Sequence, residues 1–231
     1  MKKTILRKYA NLIVCCGANV QKGQVVNVYA DLDQPEFVQM VVDEAYKAGA
    51  AEVTVQWNYQ PLSKIHYRYR SVKSLGTVKE WEKARQEYYC EVIPARIMLT
   101  SEDPDGMKGI NMEKVTKARR MSYPVLKPYF DRRENKEQWC IAAVPGAAWA
   151  KKVFPGMRTS AAIEKLWESI LFTSRVTDDP IAAWEQHNKD LHERCKYLND
   201  LHIRSLHYTA DNGTDFTGGM IEQARFCGAV E

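Results

Sequence analysis

The 231-residue chain has no run approaching the ~18 uninterrupted apolar residues of a membrane-spanning helix, so no membrane partner is expected. Its first residues, Met1 to Tyr9, open with charge, but Arg7 and Lys8 interrupt the apolar run before a signal-peptide core forms. The expected compartment is the cytoplasm. A basic stripe is also missing. The formal charge is only +4, and Lys and Arg alternate with Asp and Glu along most helical stretches, which argues against nucleic acid as a partner. Six cysteines stand at positions 15, 16, 90, 140, 195 and 227, none in a CxxC or other metal-ligand spacing. Cys15 and Cys16 are adjacent and would point apart on a helix. Four of the six lie in apolar stretches and read as reduced small core residues rather than a disulfide framework. No GxGxxG follows a strand, and GxxxxGK[ST], GxSxG and HExxH do not occur. Nothing therefore marks a nucleotide loop, a hydrolase elbow or a zincin helix.

What is present is the composition of an ordinary globular protein, 45% hydrophobic and 27% charged with 12 Gly and 9 Pro. The length lies between one large domain and two ordinary ones. Ile5, Leu6, Tyr9, Leu12, Ile13 and Cys16 recur at helical spacing, with Gly17 as a stop. After the turn Gln21-Lys22-Gly23, the run from Val25 to Ala30 reads as a strand. Asp31 to Asp33 then read as caps for a helix with Pro35 in its first turn, ended by Gly49, and Glu52 to Trp57 as the next strand. Strand, helix and strand at this spacing predict a parallel βαβ unit.

The alternation continues with longer insertions. The sequence predicts a helix from Thr77 to Tyr89 carrying Val78, Trp81, Ala84, Arg85 and Tyr88, a strand from Ala95 to Thr100, and a helix capped by Asn111 and running through Met121. A fourth strand is expected from Gln138 to Val144, ended by Pro145-Gly146. The fold class is thus α/β, a parallel-sheet, flavodoxin- or Rossmann-like layered domain with helices on both faces. From Thr159 the pattern turns to long helix: Ser160 to Arg175, then a helix capped by Asp178-Asp179-Pro180 and running to about Arg204. The division expected is a scaffold domain over residues 1–178 and, over 179–231, a connecting helix with the first strands of a second domain. The run from Ser205 to Thr209 reads as a strand leading into the hairpin-type turn Asp211-Asn212-Gly213. No partner strand is evident beyond it, so this tail is expected to be mobile or to pair between molecules.

Two groups invite chemistry. His187, His192, His202 and His207 cluster late, but His187 and His192 are about 140° apart on a helix, and His192 with Cys195 finds no third ligand at a useful spacing. Surface or hydrogen-bonded histidines are the better account. The acidic runs Asp31-Leu32-Asp33 and Ser101-Glu102-Asp103-Pro104-Asp105-Gly106 both follow strands, where open α/β sheets collect ligands. Each reads either as a carboxylate cluster for a small ligand or as a capping turn, and Pro-Asp-Gly favours the turn. On this footing a free-standing α/β ligand-binding module is one reading of the whole chain.

A second reading comes from likeness. The stretches Tyr9-Ala10-Asn11-Leu12-Ile13, Gly17 to Gln24, and Glu44 to Ala50 ahead of Val53-Thr54-Val55 resemble the opening of the aminopeptidase T family of metal-dependent aminopeptidases. So do Val144-Pro145-Gly146-Ala147-Ala148-Trp149-Ala150, Val153-Phe154-Pro155, Leu166-Trp167, Arg175 to Pro180 with Trp184, Leu198-Asn199-Asp200-Leu201 and Gly213-Thr214-Asp215. The resemblance extends over essentially the whole chain and implies peptide substrates, a pair of divalent cations (zinc or cobalt) in the complete enzyme, and a homodimer. Two close cations polarise a scissile carbonyl and supply hydroxide near neutral pH. In the family pattern, the first ligand lies in a Glu-Glu-Val-Phe segment beyond the Gly-Thr-Asp turn, with histidines and an aspartate later. Ala229-Val230-Glu231 does not match that segment. The resemblance therefore implies the amino-terminal part of such an enzyme, truncated and inactive alone. No residue of this chain is assigned a catalytic, cofactor-binding or metal role, and no cofactor is expected in it. The remaining part would be a scaffold, with Trp57, Tyr59, Tyr67 and Tyr69 as candidate contributors to a dimer surface or cavity wall.

Overall fold

The computed structural model describes residues 1–228. The three residues compared above with the family's ligand segment, Ala229, Val230 and Glu231, lie outside the described residues. The chain divides into two compact units, Met1–Val176 and the segment from Thr177 onward.

The first unit is built on four parallel strands, β1 (Val25–Asp31), β2 (Glu52–Asn58), β3 (Ala95–Thr100) and β4 (Trp139–Ala143), in the order β2-β1-β3-β4. The register pairs Val28 with Val55 and with Ile97, and Tyr29 with Gln56 and with Met98. Since side chains alternate between faces, one face carries Val26, Val28, Ala30, Ala95, Ile97 and Leu99, while the other carries Asn27, Tyr29, Gln56 and Arg96. The two faces call for different cover.

On the apolar face, α1 (Lys3–Leu12, prolonged by a π-turn Ile13–Gly17), α2 (Pro35–Lys47) and α8 (Thr159–Thr173) converge. Tyr9 stacks on Phe37 at 5.5 Å between ring centroids, and the Trp167 ring stands edge-on to both at 6.2 and 5.4 Å. The Tyr9 hydroxyl donates to the Ala143 carbonyl at 3.1 Å, which anchors α1 to the end of β4. The polar face is met by α5 (Glu80–Val92) and the end of α6 (Met112–Arg133). Gln56 Nε2 donates to the Tyr89 hydroxyl at 2.7 Å, Arg85 Nη1 donates to Gln56 Oε1 at 3.3 Å, and Arg133 Nη2 donates to Gln86 Oε1 at 2.9 Å. Helices thus lie on both faces of an α/β sheet, as the periodicity implied.

Several boundaries differ from expectation. Helices α3 (Gln60–Tyr69), α4 (Val72–Gly76) and α7 (Ala147–Val153) occupy segments read as insertions. Helix α5 starts at Glu80, and Tyr89, not Tyr88, is its buried aromatic, because Tyr89 answers Gln56. Asn111 does cap α6, donated to by the Lys114 amide at 3.0 Å, but the helix continues past Met121 to Arg133. Its internal prolines, Pro124 and Pro128, are four apart on the solvent-exposed side of the helix, where the lost amide bonds are best tolerated. No disulfide joins the six cysteines, but none is fully buried: five are half-buried and Cys227 is exposed.

In the second unit, α9 (Pro180–Asp200) is capped by Asp179, whose carboxylate accepts from the Ala182 amide at 3.1 Å. The expectation of an unpaired tail is overturned. β5 (Ser205–Thr209) pairs antiparallel with β6 (Asp215–Gly219), placing Tyr208 opposite Phe216 with rings stacked at 4.9 Å. The Asp-Phe-Thr-Gly-Gly of β6 lacks the β-branched run by which strands are read, so its pairing was hidden.

The buried hydroxyl of Tyr9 yields a pH test. Burial pushes this phenol up to about 12. The folded state holds the proton more tightly than the unfolded chain, so the associated stability is intact below pH ~10 and is lost as pH climbs toward 12, by roughly 2 to 3 kcal/mol. Tyr9→Phe keeps the ring stack and should flatten this alkaline limb in denaturant titrations. An unchanged slope would refute the assignment.

Candidate functional site

Strand order places the site. After β1 the chain moves outward to β2, then crosses back over β1 to β3, so the connections leaving β1 and β3 diverge and open a crevice at the carboxyl ends of the strands. The residues there are Asp31 at the end of β1, Asn58 at the end of β2 and Ser101 directly after β3. They are tied together. Asn58 Nδ2 donates to Asp31 Oδ1 at 2.7 Å, and the Ser101 amide donates to Asp31 Oδ2 at 3.1 Å. The buried Ser101 hydroxyl donates to Asp33 Oδ1 at 2.7 Å. Asn58 Nδ2 also reaches Glu102 Oε1 at 3.3 Å. From beyond β4, Gly146 closes in so tightly that a Cβ there would stand 2.1 Å from the Ser101 carbonyl oxygen.

The outer wall is the Glu102–Gly106 loop. Gln60 clamps it by donating to the Asp103 carbonyl and accepting from the Asp103 amide, both at 3.1 Å. Gly106 gives room for this clamp, since an added Cβ would meet the Gln60 carboxamide at 2.2 Å. Asp105 pairs with Lys152 at 2.7 Å, and this hydrogen bond holds its carboxyl below the usual carboxylate range. The resulting cleft has a volume of about 470 Å³; Asp31, Asp33, Glu102, Asp103 and Asp105 line it together with Lys64. Its field is negative, suited to a cationic or hydrogen-bonding guest.

Both acidic runs singled out from the sequence therefore meet in one cleft. The capping role of Asp31 and Asp33 is corrected: Gln34 is the N-cap residue of α2, without a side-chain cap, and the two aspartates turn instead to Ser101. The turn reading of 101–106 stands beside the cleft reading, with the Gly106 amide bonded to the Asp103 carbonyl at 2.9 Å. Asn58 and Gln60 were missed. Their only signal was position, at or just past the end of a strand. The histidines do not converge: His187 and His192 lie on α9, His202 follows it, and His207 meets Asp215 across the hairpin at 2.7 Å. Among the described residues no group of three or more His, Cys, Asp or Glu is arranged to hold a metal ion. Trp57, Tyr59 and Tyr69 are exposed and Tyr67 is half-buried.

Residues 2–231 match the family described as thermophilic metalloprotease (M29). The chain belongs to that family. This M29 chain is 37% identical over 214 residues to Aminopeptidase AmpS of Bacillus subtilis, covering 92% of itself and 52% of that relative. It is 32% identical over 222 residues to Aminopeptidase T of Thermus thermophilus, covering 95% of itself and 54% of the relative. The solved structure of wild-type AmpT from Thermus thermophilus superposes with a TM-score of 0.83 at 32% identity, covering 94% of this chain and 54% of that one. The M29 chain thus spans about half the length of the relatives it matches. The metal that the family name implies does not suit the acidic cleft. Both oxygens of Asp31 already accept hydrogen bonds, Asp33 takes the Ser101 hydroxyl and Asp105 is held by Lys152.

The Asp31 carboxylate is the tie between three strand ends. Asp31→Ala leaves the Ser101 amide and the Asn58 carboxamide without their acceptor and should lower the unfolding free energy by about 1–3 kcal/mol. Wild-type stability in a urea titration would show that the tie is not made.

Proposed function

We propose that this chain is the amino-terminal scaffold of a metal-dependent aminopeptidase that removes N-terminal residues from peptides. The supporting observation is a pair of coverages: relatives named as aminopeptidases match 92–95% of this chain, yet the match fills only 52–54% of their length. In this reading the divalent pair, zinc or cobalt, is held by residues other than those described, and the unit from Thr177 onward begins the metal-bearing domain. The α/β unit contributes to the substrate cavity of the complete enzyme and to a homodimer in the cytoplasm. Within the described residues, 1–228, the scaffold reading gives the side chains the work of positioning rather than of proton transfer. The purified chain should hold no stoichiometric zinc or cobalt by elemental analysis and should release no arylamine from leucyl arylamides. Two retained equivalents of metal, or turnover above a metal-free control, would overturn the reading.

A second reading is favoured by one observation, the convergence of both acidic runs on a single cleft. In it the α/β unit is a free-standing module that binds a small cationic metabolite between the Asp31 and Glu102 loops. A ligand present at 100 times its dissociation constant should then add about 2.7 kcal/mol of stability. A thermal-shift screen of amines and basic amino acids in which no compound raises Tm would remove this reading.

A further inference from the structure

The turn joining β5 to β6 carries the one Asn-Gly pair among the nine asparagines of the chain, Asn212-Gly213. Asn-Gly is chemically special because glycine leaves its backbone nitrogen unshielded by a side chain, so that nitrogen can reach the carboxamide carbon of the preceding residue. Here the surroundings add to that. Residues 210–217 are all exposed, Gly213 has φ +89°, and an added Cβ at Gly213 would find nothing within 4 Å. The Asn212 carboxamide is held rather than free. Its Oδ1 accepts from the Thr214 amide at 3.1 Å and from the Thr214 hydroxyl at 2.7 Å. Two donors on one carbonyl oxygen draw charge toward it and support an oxyanion there.

We propose that Asn212 is a modification site, at which deamidation proceeds through a cyclic imide with Thr214 as the positioning residue. The Gly213 nitrogen gives up its proton to water and forms a bond to Asn212 Cγ, while the carbonyl electron pair moves onto Oδ1 beneath the two Thr214 donors. Collapse of that tetrahedral centre breaks the Cγ–Nδ2 bond, and Nδ2 leaves as ammonia after taking a proton from water. A second water then opens the five-membered imide at either carbonyl, giving aspartate or isoaspartate. No oxidation state changes. The Gly213 N–H is donated to the Ala210 carbonyl at 3.0 Å, so each attack waits for that one bond to open, and the rate follows the local opening of an exposed two-stranded turn.

The chain contains a built-in contrast. Asp105-Gly106 has the same successor, but Asp105 is paired with Lys152 at 2.7 Å and Gly106 is walled in by the Gln60 carboxamide. That pair should stay intact. Conversion at Asn212 places a new carboxylate between Asp211 and Asp215, the latter already engaged with His207 at 2.7 Å. The isoaspartate product also lengthens the backbone of the turn by one carbon, which strains the pairing of Thr209 with Asp215 and of Tyr208 with Phe216. The site is therefore a one-way change in both the charge and the register of the hairpin.

The test is incubation of the purified chain in mildly alkaline buffer, followed by peptide mapping by mass spectrometry and enzymatic methylation of isoaspartate. The peptide containing position 212 should gain the mass of an amide-to-acid exchange several-fold faster than any other asparagine peptide, with isoaspartate appearing there and not at Asp105. Thr214→Val should slow this conversion, while Thr214→Ser, which keeps the hydroxyl, should restore it. Gly213→Ala should suppress it even where the turn is loosened, because the shielded nitrogen no longer attacks. Conversion at position 212 no faster than at Asn199 would overturn the proposal. Equal rates in the wild type and Thr214→Val would overturn the positioning role of Thr214.

Discussion

Everything in the first unit follows from the demand that β1 be covered on both faces. It is the inner strand that contacts both β2 and β3, and in a parallel sheet such a strand has no solvent side on which to place polar residues. Its sequence nonetheless alternates. Val26, Val28 and Ala30 face an apolar layer, and Asn27, Tyr29 and Asp31 face the other way. A buried polar group without a partner costs about 1–3 kcal/mol, a cost incurred at Asn27 Oδ1 and limited elsewhere on this face by polar neighbours. The polar layer between the sheet and α5 and α6 is the consequence. Glu137 lies 3.3 Å from Arg133 and 3.7 Å from Arg96, Gln56 answers both Tyr89 and Arg85, and the Arg133 guanidinium lies over the Tyr89 ring at 5.8 Å.

The same alternation generates the cleft. Because the polar face ends in Asp31 on β1 and Asn58 on β2, two hydrogen-bonding side chains meet at the strand ends, with the Ser101 loop arriving beside them from β3. Asp31 is thus the last member of a polar ladder that begins at Asn27, and its carboxylate does structural work before any ligand is considered. This separates the cleft from a dinuclear metal centre. Cation cages need several carboxylate or imidazole donors with free lone pairs converging on one point. Here Asp31 and Asp33 already accept from amide and hydroxyl donors of the loops that they hold together.

Local pattern made the sheet legible. The third strand was read with its observed bounds, Ala95 to Thr100, and the other three to within one residue at each end, because each is a short β-branched or aromatic run closed by a turn. Signals that depend on a partner were not legible. Helix α3, starting at Gln60-Pro61, and α7, following Gly146, are short helices that were not read from the sequence. The helix capped by Asn111 was read only through Met121, and it runs on past Pro124 and Pro128 to Arg133. For the cleft, each acidic run was visible and its ambiguity was real. What decided matters was the order β2-β1-β3-β4, which brings residues 31 and 101 side by side, and no local spacing encodes that order.

The two units draw their stability from different sources. In the first, the stack of Tyr9, Phe37 and Trp167 joins α1, α2 and α8 over the buried Val26, Val28, Ile97 and Leu99 of the inner strands. In the second, a two-stranded hairpin with adjacent glycines in β6 rests on one stacked pair, Tyr208 on Phe216, and on the contact of His207 with Asp215. Two strands alone are marginal in water, and both rings of the stacked pair are exposed. The α/β layer is therefore held by buried side chains, and the hairpin by a few exposed contacts. The contacts that hold the α/β layer together close within the first 176 residues.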